Sequence, residues 1–199
     1  MGKTFRSAIL AGICIGIAGF GNLAIGDIAG PVVFAFGLCA VVNYKFKLFT
    51  GTAGFIQEPA ELGTLCLILL GNILGCLAVG LLARVSPLPI QDGAQKILAG
   101  RLSAGALRCG LLSVGCGFIM TTAVKFAREG SWLPLLFGVP LFIFCRFPHS
   151  IADAFYTLAT PFSFLGEHAG AVALYYIAIV LGNFIGCNLT RFVLWDIKA

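Results

Sequence analysis

Two short strings set ionisable and hydroxyl side chains inside otherwise apolar sequence. NYKFKLFTGTAG (43–54) carries Lys45, Lys47 and Thr50, and CRFPHSIADAF (145–155) carries Arg146, His149 and Asp153. A charge at mid-bilayer costs roughly 2.5–3.5 kcal/mol on insertion scales. These side chains must therefore face one another, a cavity or an interface. The positive ones outnumber the negative one, and a cavity so lined attracts small anions. The N–H groups of a half-helix starting after each string would add to that attraction.

His149 is the most informative residue of the set. An unperturbed imidazole titrates at about pH 6.5, so it can give a proton or a hydrogen bond to a passing weak-acid anion. The plainer alternative is an imidazole that only seals the backbone of its string. Thr50 offers a hydroxyl that donates or accepts. Phe34, Leu38 and Phe49 lie on or beside the first string, and Phe142 lies one or two turns before the second. Apolar constrictions of this kind strip hydration and gate by dewetting, although ordinary packing also accounts for any phenylalanine in a chain with 18 of them. His149 and Asp153 also sit four apart on one helical face, as acid–base partners of a membrane enzyme would. No histidine cluster, serine–lysine pair or metal motif accompanies them, which disfavours that reading.

The elements that hold these residues follow from composition. The chain of 199 residues is 59% hydrophobic and 11% charged, with a mean hydropathy of +1.01, whereas soluble domains carry about 25% charged residues. Too little polar surface is left to face water, so the chain belongs in a bilayer as one domain, 1–199. Six segments emerge: 7–26, 30–57 with an interruption, 62–83, 98–124 with Arg101 and Arg108 inside it, 131–165 with an interruption, and 169–194. Backbone groups in lipid must be satisfied within the segment, so the spans are helices. No ten-residue alternation supports a barrel. The apolar run from Ser7 to Gly26 exceeds a signal h-region and reads as a first transmembrane helix. The eight cysteines form no CxxC pair and have no histidine at metal spacing. They read as small buried hydrophobes, and no cofactor, metal or nucleic acid is expected.

LGNILGC (70–76) and LGNFIGC (181–187) lie in the third and sixth spans, three crossings apart. Equivalent helices an odd number of crossings apart run in opposite directions, the pattern of an inverted 3+3 repeat. GxxxG is common in membrane helices, but Asn72 and Asn183 are two of only five asparagines and hold the same offset in each string. The halves are 7–84 and 97–195. Spans two and five then correspond, and both are interrupted. Paired breaks in two halves point to a permeation site, where Thr50 and His149 could meet near the pseudo-axis. An even number of spans puts both termini on one side with Lys3, Arg6, Lys125, Arg128, Arg191 and Lys198. Arg84, Lys96 and Arg101 fall opposite. This bias favours cytoplasmic termini.

These strings together resemble the formate/nitrite transporter family. LFTGT (48–52) resembles its broken second helix, FPHSIAD (147–153) its broken fifth, usually close to F-E-H-S-x-A-N, and the two GNxxG helices match as well. The resemblance covers residues 8–195. It implies a homopentamer of six-helix protomers with an aquaporin-like outline, conducting formate, nitrite, hydrosulfide and related anions. His149 and Thr50 become the central polar pair, and Phe34, Leu38, Phe49 and Phe142 the constrictions. Asn72 and Asn183 become structural. Lys96 takes the place of a lysine that draws anions at the outer mouth, with Arg101 in competition. The sequence departs from the family pattern at Pro148 (usually glutamate), Asp153 (usually asparagine), Arg146, Lys45, Lys47 and Val114.

The expected function is a channel in the cell membrane for small weak-acid anions, with proton coupling through the central histidine. Lys45, Lys47, Lys96 and Arg146 would attract the anion. The alternative is an aquaporin- or urea-type channel for neutral solutes. It lacks the twin NPA breaks, since EPA (58–60) occurs once, in a linker.

Overall fold

The computed structural model describes residues 1–194, and Lys198 of the charge argument lies outside them. Among the described residues the chain is all-helical, with ten α-helices. They are α1 (Gly2–Ile25), α2 (Ala29–Asn43), α3 (Leu62–Val85), α4 (Ile90–Ala104), α5 (Ala106–Arg128), α6 (Leu133–Phe144), α7 (Ser150–Ala159), α8 (Phe162–Glu167), α9 (Ala169–Cys187) and α10 (Leu189–Val193).

Four helices, α1, α3, α5 and α9, are long and apolar enough to cross a membrane. At 1.5 Å per residue each spans about 28–36 Å, against a hydrocarbon core of about 30 Å. α2 and α6 are equally apolar but have only 15 and 12 residues, so each rises only about 18–22 Å and stops part-way. Large apolar side chains point outward on these helices, among them Phe36, Leu70, Leu111 and Phe137. A soluble protein rarely exposes such patches; lipid is their natural solvent. The chain is a multi-pass membrane protein.

The fourth span departs from the expectation of 98–124. Gly105 adopts φ +87° and ends one helix before the next begins. The apolar residues flanking this glycine made two helices read as one. Arg101 thus sits on α4, a separate amphipathic helix that also carries Lys96, and Arg108 lies in the first turn of α5. α4 packs on α7 as well as on α1, α3, α5 and α9.

The closest pairings are α1 with α3 and α5 with α9. Both rest on glycine. A Cβ on Gly12 would strike the Asn72 carbonyl, and one on Gly117 would strike the Asn183 carbonyl. Close backbone approach through small residues is how membrane helices associate when no hydrophobic drive separates helix from lipid. Gly117→Val should cost more than about 3 kcal/mol, the upper end for an overpacked core. The recovered fraction of monodisperse protein in detergent should fall several-fold, while Gly63→Ala, where an added Cβ meets nothing within 4 Å, should match wild type.

Candidate functional site

α2 and α6 end in the same way. Tyr44 and Cys145 cap the C-termini of the two helices, and Lys45 and Arg146 follow in the left-handed region, at φ 57° and 54°. Lys45 N–H donates to the Val42 carbonyl and Phe46 N–H to that of Val41; Arg146 N–H donates to Ile143 and Phe147 N–H to Phe142. This is a Schellman closure, normally built on glycine. A side chain in that conformation costs about 1–2 kcal/mol, partly offset by a cation at a helix C-terminus.

Beyond each closure the chain runs non-helically, and an asparagine from another helix satisfies it. Asn72 on α3 accepts from Phe49 N–H and donates to the carbonyls of Lys47 and Ala8. Asn183 on α9 accepts from Ser150 N–H and donates to Pro148 and Ser113. The thiols cross over: Cys76 on α3 donates to the Ile151 carbonyl, and Cys187 on α9 to that of Thr50. The expectation of buried cysteines fails at Cys66 and Cys145, which are exposed. No cluster of metal-ligating side chains occurs among the described residues.

The two non-helical strips meet at Thr50 and His149, both fully buried and joined by a hydrogen bond of 3.0 Å between Oγ1 and Nε2. His149 is the N-cap of α7, and its Nδ1 accepts from Ala152 N–H at 3.1 Å. With Nδ1 an acceptor, the neutral ring carries its hydrogen on Nε2 and donates it to Thr50. Phe142 stacks on the imidazole with centroids 5.4 Å apart, and Phe34 meets Phe142 edge-on at 6.1 Å. Leu38 and Phe49 are buried in the same core cluster.

The two halves differ after the strips. α7 follows the second strip, but only a single 3-10 turn (Ala53–Phe55) follows the first. Two glycines and Pro59 disfavour helix there. Side chains hold this segment instead: Arg128 donates to Gly51, and Arg191 to Ile56 and Gln57. Nor are the first N–H groups of α7 free for an anion as expected. Those of His149, Ser150 and Ala152 are taken by Asp153, Asn183 and the imidazole.

Two cavities flank the pair. The first, of ≈ 620 Å³, is lined by Lys45, Lys47, Arg128 and Trp132 and reaches Leu48 and Gly51 beside Thr50. The second, of ≈ 580 Å³, is lined by Lys96, Arg101, Arg108 and Arg146 and reaches Phe142 and Ala152 beside His149. α5 runs from one to the other, and its lining residues are about 25 Å apart along the axis. The four cations named from sequence are thus divided between the two cavities. Lys45, Lys47, Lys96 and Arg146 are all exposed.

Asp153 does not partner the imidazole as an acid–base pair would. Its Oδ2 accepts from His149 N–H, and its Oδ1 accepts from Tyr175 Oη–H and Arg101 Nε. Tyr175 carried no sequence signal of its own. Asn22 and Tyr156, which bond to each other in the second cavity at 3.0 Å, were likewise invisible. Removing either stapling asparagine takes the partner from two backbone groups of its strip, Lys47 and Phe49 or Pro148 and Ser150, each worth about 1–3 kcal/mol where buried. Asn72→Ala and Asn183→Ala should each lower the thermal midpoint in detergent by several degrees, whereas Asn43→Ala, exposed at the end of α2, should leave it unchanged.

Comparison with known proteins places this geometry. A structure described as a pentameric formate channel with formate bound is similar, at TM-score 0.80 and 21% identity, covering 98% of this chain and 95% of that one. An FNT family ion channel is similar at TM-score 0.81 and 19% identity, covering 99% and 90%. No curated protein matches the chain. The family model described as formate/nitrite transporter matches residues 1–195. The chain belongs to the formate/nitrite transporter family.

Proposed function

We propose that the chain is a channel for small monovalent weak-acid anions such as formate, nitrite or hydrosulfide, with proton coupling at His149. The observation that carries this reading is the buried Thr50–His149 hydrogen bond, closed in by aromatic rings between two basic cavities. Family membership and the formate channel among its structural neighbours support it.

The architecture we propose is a single domain, 1–199, of six transmembrane helices in two inverted halves, 7–84 and 97–195, with an aquaporin-like outline. α2 and the α6–α7 pair are the broken second and fifth. The mirrored Schellman closures, asparagine bonds and crossed thiol bonds support the repeat. A homopentamer in the cell membrane is the proposed assembly, with the pentameric neighbour as its support. Both termini would be cytoplasmic. Lys3, Arg6, Lys125, Arg128 and Arg191 share the side of the first cavity, as the bonds of α1 to the first strip and of α10 to the segment after it imply.

In this reading an anion collects in a basic mouth. Its main barrier is loss of hydration in low dielectric. Hydrogen bonding or protonation at the Thr50–His149 pair reduces the charge that must cross Phe34, Leu38, Phe49 and Phe142. Lys45, Lys47, Lys96 and Arg146 raise the local anion concentration.

Uptake of formate, nitrite, hydrosulfide and acetate into liposomes across a pH series tests the reading. Wild-type protein should carry the weak-acid anions faster as the outside is acidified, in excess of the leak of neutral acid that empty liposomes show at each pH. His149→Phe and Thr50→Val should each reduce formate flux roughly ten- to a hundredfold, the value of a hydrogen bond to a charged group. They should also abolish the pH dependence, whereas Thr50→Ser should keep it. Arg146→Gly relieves the left-handed strain while removing one charge; it should leave the thermal midpoint at or above wild type and raise the apparent KM.

A further inference from the structure

Asp153 is buried, at 2% exposure, and every partner it has is a donor. The carboxylate accepts from the backbone of His149, the hydroxyl of Tyr175 and the guanidinium of Arg101 at 3.1 Å. Arg101 also donates to the Arg146 carbonyl at the end of the second closure. One residue of α4, a helix belonging to neither broken span, therefore ties the closure to the first turn of α7. In the first strip Asn72 makes the corresponding backbone bonds, but no guanidinium–carboxylate pair holds the segment that follows; Arg101–Asp153 is the one ion pair among the described residues.

We propose that Asp153 is a positioning residue for His149 and that Arg101 is its obligatory counter-charge. The carboxylate fixes the backbone of the N-cap, and through it the ring that meets Thr50. A lone carboxylate behind the ring would favour the imidazolium and repel an incoming anion. Arg101 pairs with that charge and opposes it, and the other cations lining this cavity are Lys96, Arg108 and Arg146. The groups facing the start of α7 are few. Its own helix brings Tyr156; α4 brings Arg101; α5 brings the Cys109 and Cys116 thiols; α9 brings Tyr175 and Tyr176; α3 brings the Cys76 thiol; α1 brings the uncharged Asn22. Arg101 and Asp153 are the charged members.

The inference rests on the channel reading, and its test separates the two. Purified Arg101→Gln, Asp153→Asn and the double variant are compared in liposome formate uptake, measuring the pH midpoint and splitting KM from maximal rate. An opposite or like charge nearby moves a titration by about one unit or more. Arg101→Gln should therefore shift the midpoint about one unit alkaline and raise KM. Asp153→Asn should shift it acid and lower KM, and the double variant should return towards the wild-type midpoint with a reduced maximal rate. Arg101→Lys, which keeps the charge, should hold that midpoint even if the neutralised variants fail to assemble; a shifted midpoint in Arg101→Lys overturns the proposal. Shifts of one sign in both single variants, or lost rate without any shift, would mean the pair is structural only and overturn it as well. Absence of flux in wild type would instead overturn the channel reading.

Discussion

Backbone that is not helical survives inside a bilayer only if its N–H and C=O groups find partners in protein. Two asparagines meet that demand here. Asn72 and Asn183 each supply one acceptor and two donations, and so hold a strip of extended chain against the helix that carries them. Without these bonds the strips would have to become helix, Thr50 and His149 would not face each other, and the two basic mouths would be separated by continuous apolar rods. The glycines of α1 and α5 serve the same end, because Asn72 and Asn183 reach their targets only if the backbones come close.

Charge is arranged around these strips in two ways. Among the described residues, the exposed cations of the first cavity have no acid lining it with them, and cations in the second outnumber its single carboxylate. Deeper in, charge appears as the matched pair of a half-buried Arg101 and a buried Asp153. Breaking a buried pair costs far more than the pair contributes, which makes such a pair better suited to fixing geometry than to adding stability. Lys45 and Arg146 carry both functions: each closes a helix in a conformation glycine would adopt more easily, and each leaves its charge at a cavity rim.

Much of this was legible in sequence because membrane constraints are severe. Polar strings inside apolar runs cannot be ordinary helix, and regular helix does stop at Asn43 and Phe144. The repeated asparagine stood out because the residue is scarce in the chain. What was not legible depends on distance in space. Arg101 read as part of a transmembrane span, because apolar residues flank Gly105 on both sides and hydropathy does not register a single left-handed glycine. The backbone bond from His149 N–H to Asp153 was not legible either, because a spacing of four cannot tell a ring from a backbone N–H. The missing half-helix after Thr50 was hidden by the symmetry argument itself, which assumed that equal breaks have equal sequels. Tyr175 looked like any apolar-face tyrosine until α9 was placed against α7.

The central claim is that the two non-helical strips meet at Thr50 and His149 within a passage between the mouths. A density map of the protein in lipid nanodiscs tests it most directly. The account predicts Oγ1 and Nε2 within hydrogen-bond distance, with each strip held by its asparagine. Unbroken helix through residues 43–55 or 144–150, or an imidazole turned to lipid, would contradict it.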